Sequence, residues 1–123
     1  MDKKRYLKLY KKNAQELEFL NNQIEGVRSI DVNHIKSTQG TTLTEKIYQI
    51  DIIRSRMEEI ESSINAIDDI RARTVLGYRF LMGKSLAETA KILSISVSNV
   101  RMISSKGFTK LTIPDNSFYK GGL

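Results

Sequence analysis

The sequence predicts an all-α protein in which a long N-terminal helical hairpin, coiled-coil-like in its patterning, precedes a compact C-terminal tri-helical domain. Three observations predict it. Apolar residues recur at steps of three and four over most of residues 4–67. The one proline is Pro114, and almost nothing before Gly77 interrupts a helix. After residue 84, two serine caps mark the starts of two shorter helices. The boundaries that follow are residues 1–68 for the arm, 69–113 for the compact domain and 114–123 for a flexible tail.

The first helix spans about residues 4–28, where Leu7, Tyr10, Ala14, Leu17, Phe19, Leu20, Ile24 and Val27 recur at mostly three- and four-residue steps among Lys, Gln, Glu and Asn. Gly26 and residues 29–41 lose that periodicity and hold several turn-forming residues, which predicts a loop. Thr42 with Glu45 three residues on has the spacing of a capping box and predicts the start of the second helix there. From Leu43 through Ile47, Ile50, Ile53, Met57, Ile60 and Ile64 to Ile67 an apolar stripe follows, with Glu45, Asp51, Arg56, Glu58 and Glu59 off it. Such a stripe requires a partner. An antiparallel hairpin with the first helix, a zipper to another copy, or a four-helix dimer would each bury it, and a homo-oligomer through the N-terminal helices is expected.

Beyond Asp69, residues 70–82 form a third helix that accommodates Gly77 at a cost of about 1 kcal/mol relative to alanine. Close packing of a neighbouring helix would account for that glycine. Gly83 and Lys84 supply its stop. Ser85 with Glu88 forms a second capping box and opens a short helix, residues 86–93. The connection is Ser94-Ile95-Ser96, and Ser96 caps a last helix from Val97 to about Leu111. A short helix, a three-residue turn and a longer helix make the geometry of a helix-turn-helix, whose second helix enters the major groove of DNA. Ala90 permits close approach of the two helices, Ile95 plugs the turn, and Val100, Ile103, Phe108 and Leu111 anchor the last helix on the core.

The opposite face carries the candidate DNA-binding residues Ser96, Ser98, Asn99, Arg101, Met102, Ser105, Lys106 and Lys110. Arginine pairs with guanine and asparagine with adenine, serine meets phosphate or base edges, and methionine packs on a thymine methyl. Lys84, Ser85 and Lys91 are candidate phosphate contacts on the preceding helix. Charge agrees with this placement. Residues 70–123 hold nine Lys/Arg against two Asp/Glu, whereas residues 41–69 hold three against seven. A clustered positive field attracts polyanions through counterion release.

Other features read more plainly. Lys3, Lys4, Arg5, Lys8, Lys11 and Lys12 form a charge run at a helix start, the pattern of a solvated face, with contact to DNA phosphates as the alternative. His34 is the one histidine and sits in polar loop sequence. Without cysteine, a usable histidine, a phosphate-binding glycine loop or an acidic metal cluster, no catalytic site, metal site or cofactor is expected, and the protein is read as a non-enzyme. No apolar run reaches about 18 residues, and the opening residues lack a signal-peptide core, which predicts a cytoplasmic protein that makes no membrane contact. Phe118 and Tyr119 in the tail either dock back on the domain or anchor a partner.

The run from Leu81 through Gly83, Ser85, Ala90 and Ile95 to Ser96, followed by Asn99-Val100-Arg101 and the closing Lys110-Leu111, resembles the C-terminal DNA-binding region of sigma-70-type factors, region 4. Placed behind a helical hairpin in a short chain, it is more similar still to the ArpU/RinA-like phage late-gene transcription regulators. The resemblance implies a phage or prophage gene in a bacterial host, promoter-proximal duplex DNA as target, and contact with host RNA polymerase. Two departures stand out: Ser94 occupies a turn position where many members have glycine, and Gly107 stands where alanine is usual and would fray the recognition helix. A helical interaction or DNA-packaging adaptor is the alternative from another functional class.

Overall fold

The structure is a computed structural model that describes residues 2–28 and 37–118. Among these residues there are five α-helices and no strand: α1 (Lys3–Arg28), α2 (Ser37–Asn65), α3 (Ile70–Leu76), α4 (Leu86–Leu93) and α5 (Val97–Lys110), with a π-helical turn, Gly77–Leu81, continuing α3. His34 and most of the expected loop lie outside the described residues. The second helix begins at Ser37, so Thr42 falls inside α2 and does not cap it. Gly26 falls inside α1.

α1 and α2 pair within the chain. The stripe on α2 buries Ile50, Ile53, Ile60 and Ile64 against Tyr6, Leu7, Leu20 and Ile24 of α1. The stripe therefore has its partner in the same chain, and any contact with a second copy must use another face. Exposed large apolar residues of the arm are Phe19, Ile47 and Tyr48, all in its distal half. Of the arm's aromatics, Tyr6 is buried and Tyr10 half-buried, whereas Phe19 and Tyr48 project to solvent.

Two clusters divide the core. The outer one joins Leu20, Ile24, Ile50 and Ile53. The inner one joins Tyr6, Leu7, Ile60, Ile64 and Ile67 of the arm to Ala72, Val75, Leu76, Phe80, Ala90, Val100, Ile103 and Leu111. The base of the hairpin and the C-terminal helices therefore share one hydrophobic core, continuous across residue 68.

Polar contacts fasten the same junction. The Tyr6 hydroxyl donates to Glu59 at 2.7 Å, and the Tyr10 hydroxyl to Glu61 at 2.6 Å. Glu59 also accepts from the Ser117 hydroxyl at 2.7 Å and the Phe118 amide at 3.2 Å. The Phe118 ring lies 6.2 Å from Tyr6 and under the Arg56 guanidinium at 5.4 Å. Ser117 and Phe118 are consequently docked on the arm, which corrects the expectation of a flexible tail at these two residues; Tyr119 and the residues after it lie outside the described set.

Burial, reinforced by the hydrogen bond to Glu59, pushes the Tyr6 phenol far above its ordinary value, and burial with Glu61 pushes Tyr10 up to about 12. A phenol whose folded pKa is raised contributes stability that is fully present below its unfolded value of 10.0 and is lost as pH rises through the folded value. The melting temperature should fall steeply from pH 10 upward, and a Tyr6→Phe/Tyr10→Phe variant should show a shallower fall over that window. Equal alkaline slopes for the two proteins would remove the tyrosines from this role.

The two glycines exchange the parts expected of them. A Cβ at Gly77 would meet nothing within 4 Å, so close packing does not explain that glycine. It stands at the first residue of the π-helical turn. A Cβ at Gly107 would lie 2.8 Å from Leu76 Cδ1 and 3.4 Å from Ala72 Cβ. Gly107 is therefore the residue that lets α5 approach α3, and α5 runs unbroken past it to Lys110.

Candidate nucleic-acid interface

α4 and α5 form through the caps that the serines predict. The Ser85 hydroxyl accepts from the Glu88 amide at 3.0 Å while the Ser85 amide donates to the Glu88 carboxylate at 3.1 Å, closing the capping box. That backbone bond, followed by the serine hydroxyl, holds the Glu88 carboxyl below the usual carboxylate range. The Ser96 hydroxyl accepts from the Asn99 amide at 3.1 Å and starts α5. The Ser96 hydroxyl retains a hydrogen to donate outward.

Ser94 takes the left-handed conformation, φ 56° and ψ 43°. The Ile95 amide donates to the Ala90 carbonyl at 3.0 Å and the Ser94 amide to the Lys91 carbonyl at 3.3 Å. This pair of bonds is a Schellman closure, which requires a left-handed residue at the position Ser94 occupies. The strain expected for a serine there, about 1–2 kcal/mol, is accepted to turn the chain between the two helices. Ile95 is half-buried in that turn and Ala90 fully buried beneath α5.

Val100, Ile103, Gly107 and Leu111 fix the inner face of α5 in the core. Ser104 is buried as well and accepts from Arg79 Nη1 at 3.0 Å, while the Arg79 guanidinium stacks over Phe80 at 4.9 Å. Burial lowers the pKa of this guanidinium, which stays charged at any ordinary pH. Nothing in sequence spacing links Arg79 to Ser104, and the pairing was not foreseen.

The remaining residues of α5 divide into two stripes. Ser98, Arg101 and Ser105 point away from α3 and are exposed. Asn99 and Met102 border a cleft of about 330 Å³ that Ile70, Arg71 and Thr74 of α3 close from the other side. Lys106 and Lys110 continue that second stripe toward Asp69, which both cations hold below the usual carboxylate range, after the larger effect of the Ala72 amide. The Lys110 ammonium lies 3.6 Å from Asp68 and 3.8 Å from Asp69. It reaches a nucleic acid only by leaving these exposed pairs, which are individually weak.

On the flank, Lys91 is exposed on α4 and Lys84 half-buried at the α4 N-terminus. The charge run of α1 is not uniform. Lys3 donates to the Thr109 carbonyl at 3.4 Å, Lys8 and Lys11 border a cleft with Arg79 and Lys84, and Lys12 lies on another side beside Phe19 and Arg56. No helix of the described residues is long and apolar enough to cross a membrane.

Comparison with known proteins agrees with this geometry. Residues 69–112 match the family model described as Sigma-70, region 4. Neither the curated proteins nor the solved structures return a match. The match begins at Asp69, the N-cap of α3, and ends one residue past Leu111, the cap of α5. Residues 69–112 thus form a helix-turn-helix similar to sigma-70 region 4, which is a DNA-binding regulatory domain and not an enzyme family, and they are carried behind a helical hairpin.

Proposed function

We propose that the protein is a sequence-specific transcription regulator that inserts α5 into the major groove of duplex DNA. The observation that carries this reading is the stripe Ser98, Arg101 and Ser105: exposed hydrogen-bonding side chains on a helix whose opposite face is locked into the core. A rigid helix presents base-reading groups at low entropic cost. Ser96 and Asn99 at its N-terminal end join the readers, Met102 offers an apolar contact to thymine, and Lys106 and Lys110 meet phosphates farther along. Lys84, Ser85 and Lys91 engage the backbone from α4.

The hairpin joined to this domain is similar in arrangement to ArpU/RinA-like phage regulators, which supports a phage or prophage promoter as target, host RNA polymerase as second partner and the bacterial cytoplasm as the place of action. The exposed Phe19, Ile47 and Tyr48 support self-association through the outer face of the arm. Sedimentation should then give a mass above the monomer that Phe19→Ser with Tyr48→Ser reduces; a monomeric wild type removes self-association from the reading.

Selection from a random duplex pool tests the central claim. One motif should be enriched, and affinity for it should fall with salt in proportion to the phosphates neutralised. Equal retention of all sequences would reduce the protein to a nonspecific binder, and retention of none would favour an adaptor that works through protein contacts alone.

A further inference from the structure

The cleft between α1 and the start of α4 is lined by side chains from both the arm and the helix-turn-helix unit. About 360 Å³ in volume, it is lined by Lys8 and Lys11 from α1, Arg79 and Phe80 from the π-helical turn, and Lys84 and Ser85 before α4. Four cations line it, against the Glu88 carboxylate that the Ser85 amide holds beside Lys84. Arg79 is fixed at its wall by Ser104 and the Phe80 ring, and Lys8 and Lys11, one turn apart, extend from the exposed face of α1. Like charges gathered at one place repel one another unless an anion joins them. Ser85 already takes the Glu88 amide at the start of α4, and the side-chain cations carry most of the field.

We propose that Lys8 and Lys11, together with Lys84, hold neighbouring backbone phosphates of the bound duplex, so that the arm is part of the DNA interface and lengthens the footprint beyond the helix-turn-helix. The inference rests on the DNA-binding reading above. Its placement follows from the motif, because α4 is the helix that crosses the DNA backbone when the following helix enters the groove. A cation cluster at the start of α4 then lies against the backbone, and α1 is the element that supplies its outer half. Phosphate is the matching ligand: an acceptor-only anion repeated along the duplex, for which ammonium groups act as point-charge partners.

The test uses the full chain and a duplex carrying the selected site, with affinity measured by anisotropy over a range of salt. Lys8→Gln with Lys11→Gln should reduce the log–log salt slope by about two and weaken binding on the order of tenfold per lysine near 0.1 M salt, equally for cognate and random sequences. Lys8→Arg with Lys11→Arg should restore both. Lys12→Gln, on the side of α1 that borders Phe19 and Arg56, should change neither. Trimming base pairs from the end of the duplex that faces the arm should cost the wild type affinity and the Gln variant none. An unchanged slope in the Gln variant, with wild type binding normally, overturns the role of the arm alone. A wild type that binds no duplex overturns the DNA-binding reading itself and the proposal with it. Saturable binding of inorganic phosphate that the Gln variant loses while its DNA slope stays unchanged would make the cleft a small-anion site and overturn the proposal.

Discussion

Ile64→Asp is expected to unfold the arm and the C-terminal domain in one transition. Ile64 is buried at 1% exposure in the inner cluster, among residues of α1 and α2 and of the helices that follow. Among described residues no cation is paired to that position, so a carboxylate there is desolvated without compensation, at a cost of several kcal/mol. Small domains have a total stability of about 5–15 kcal/mol, so a single such change takes a large share of it. Ile50→Asp provides the contrast. Ile50 belongs to the outer cluster with Leu20, Ile24 and Ile53, away from the helix-turn-helix. That variant should lose helix in the distal arm while retaining duplex binding. Circular dichroism and DNA affinity measured on both proteins separate the cases. Should Ile64→Asp melt the arm and leave a C-terminal domain that still binds DNA, the two parts are independent units and the shared core contributes little.

The elements that could be read from sequence are those whose signal is repeated or local. The stripe from Leu43 to Ile67 repeats at steps of three and four, and the structure buries Ile50, Ile53, Ile60, Ile64 and Ile67 of it but leaves Ile47, toward the distal end, exposed. Ser85, Glu88 and Ser96 act within three residues of themselves, and their bonds form as the spacing requires. The same spacing misleads at Thr42, because a threonine three residues before a glutamate is also compatible with a helix interior, and α2 continues back to Ser37. Whether the stripe pairs within the chain or between chains depends on tertiary geometry, which periodicity does not encode.

The glycines show the same limit at single residues. Gly77 and Gly107 have equal propensity in a helix, and only the neighbour decides which one is needed for packing: Leu76 faces Gly107, and nothing faces Gly77. Arg79 was invisible as a participant because its partner Ser104 lies 25 residues away on another helix. The basic run of α1 could be seen as a run but not sorted, since Lys3, Lys8, Lys11 and Lys12 point to three different surroundings. Among the base-reading candidates, the exposed side of α5 follows from helical periodicity, but its division into a stripe facing away from α3 and one bordering it required the position of α3.

Arg101→Ala against Lys91→Ala distinguishes reading of a sequence from attraction to any duplex. Arg101 follows the buried anchor Val100 and stands in the exposed stripe between Ser98 and Ser105, where no acid among the described residues pairs with its guanidinium. A guanidinium presented from the groove-facing side of a rigid helix can pair bidentately with guanine, a contact worth about 1–3 kcal/mol of discrimination. Lys91 is exposed on α4, the helix that crosses the backbone, and offers a point charge that any phosphate satisfies. Arg101→Ala should therefore lower cognate affinity by roughly five- to a hundredfold while random duplex loses much less. Lys91→Ala should weaken both alike and reduce the salt slope by about one. Neither residue packs in the core, so both variants should melt as the wild type does. The measurement is the ratio of cognate to random affinity for each variant at one salt concentration. A folded Arg101→Ala protein with an unchanged ratio would mean that this stripe does not read bases through Arg101, and recognition would shift to the stripe of Asn99 and Met102 beside α3.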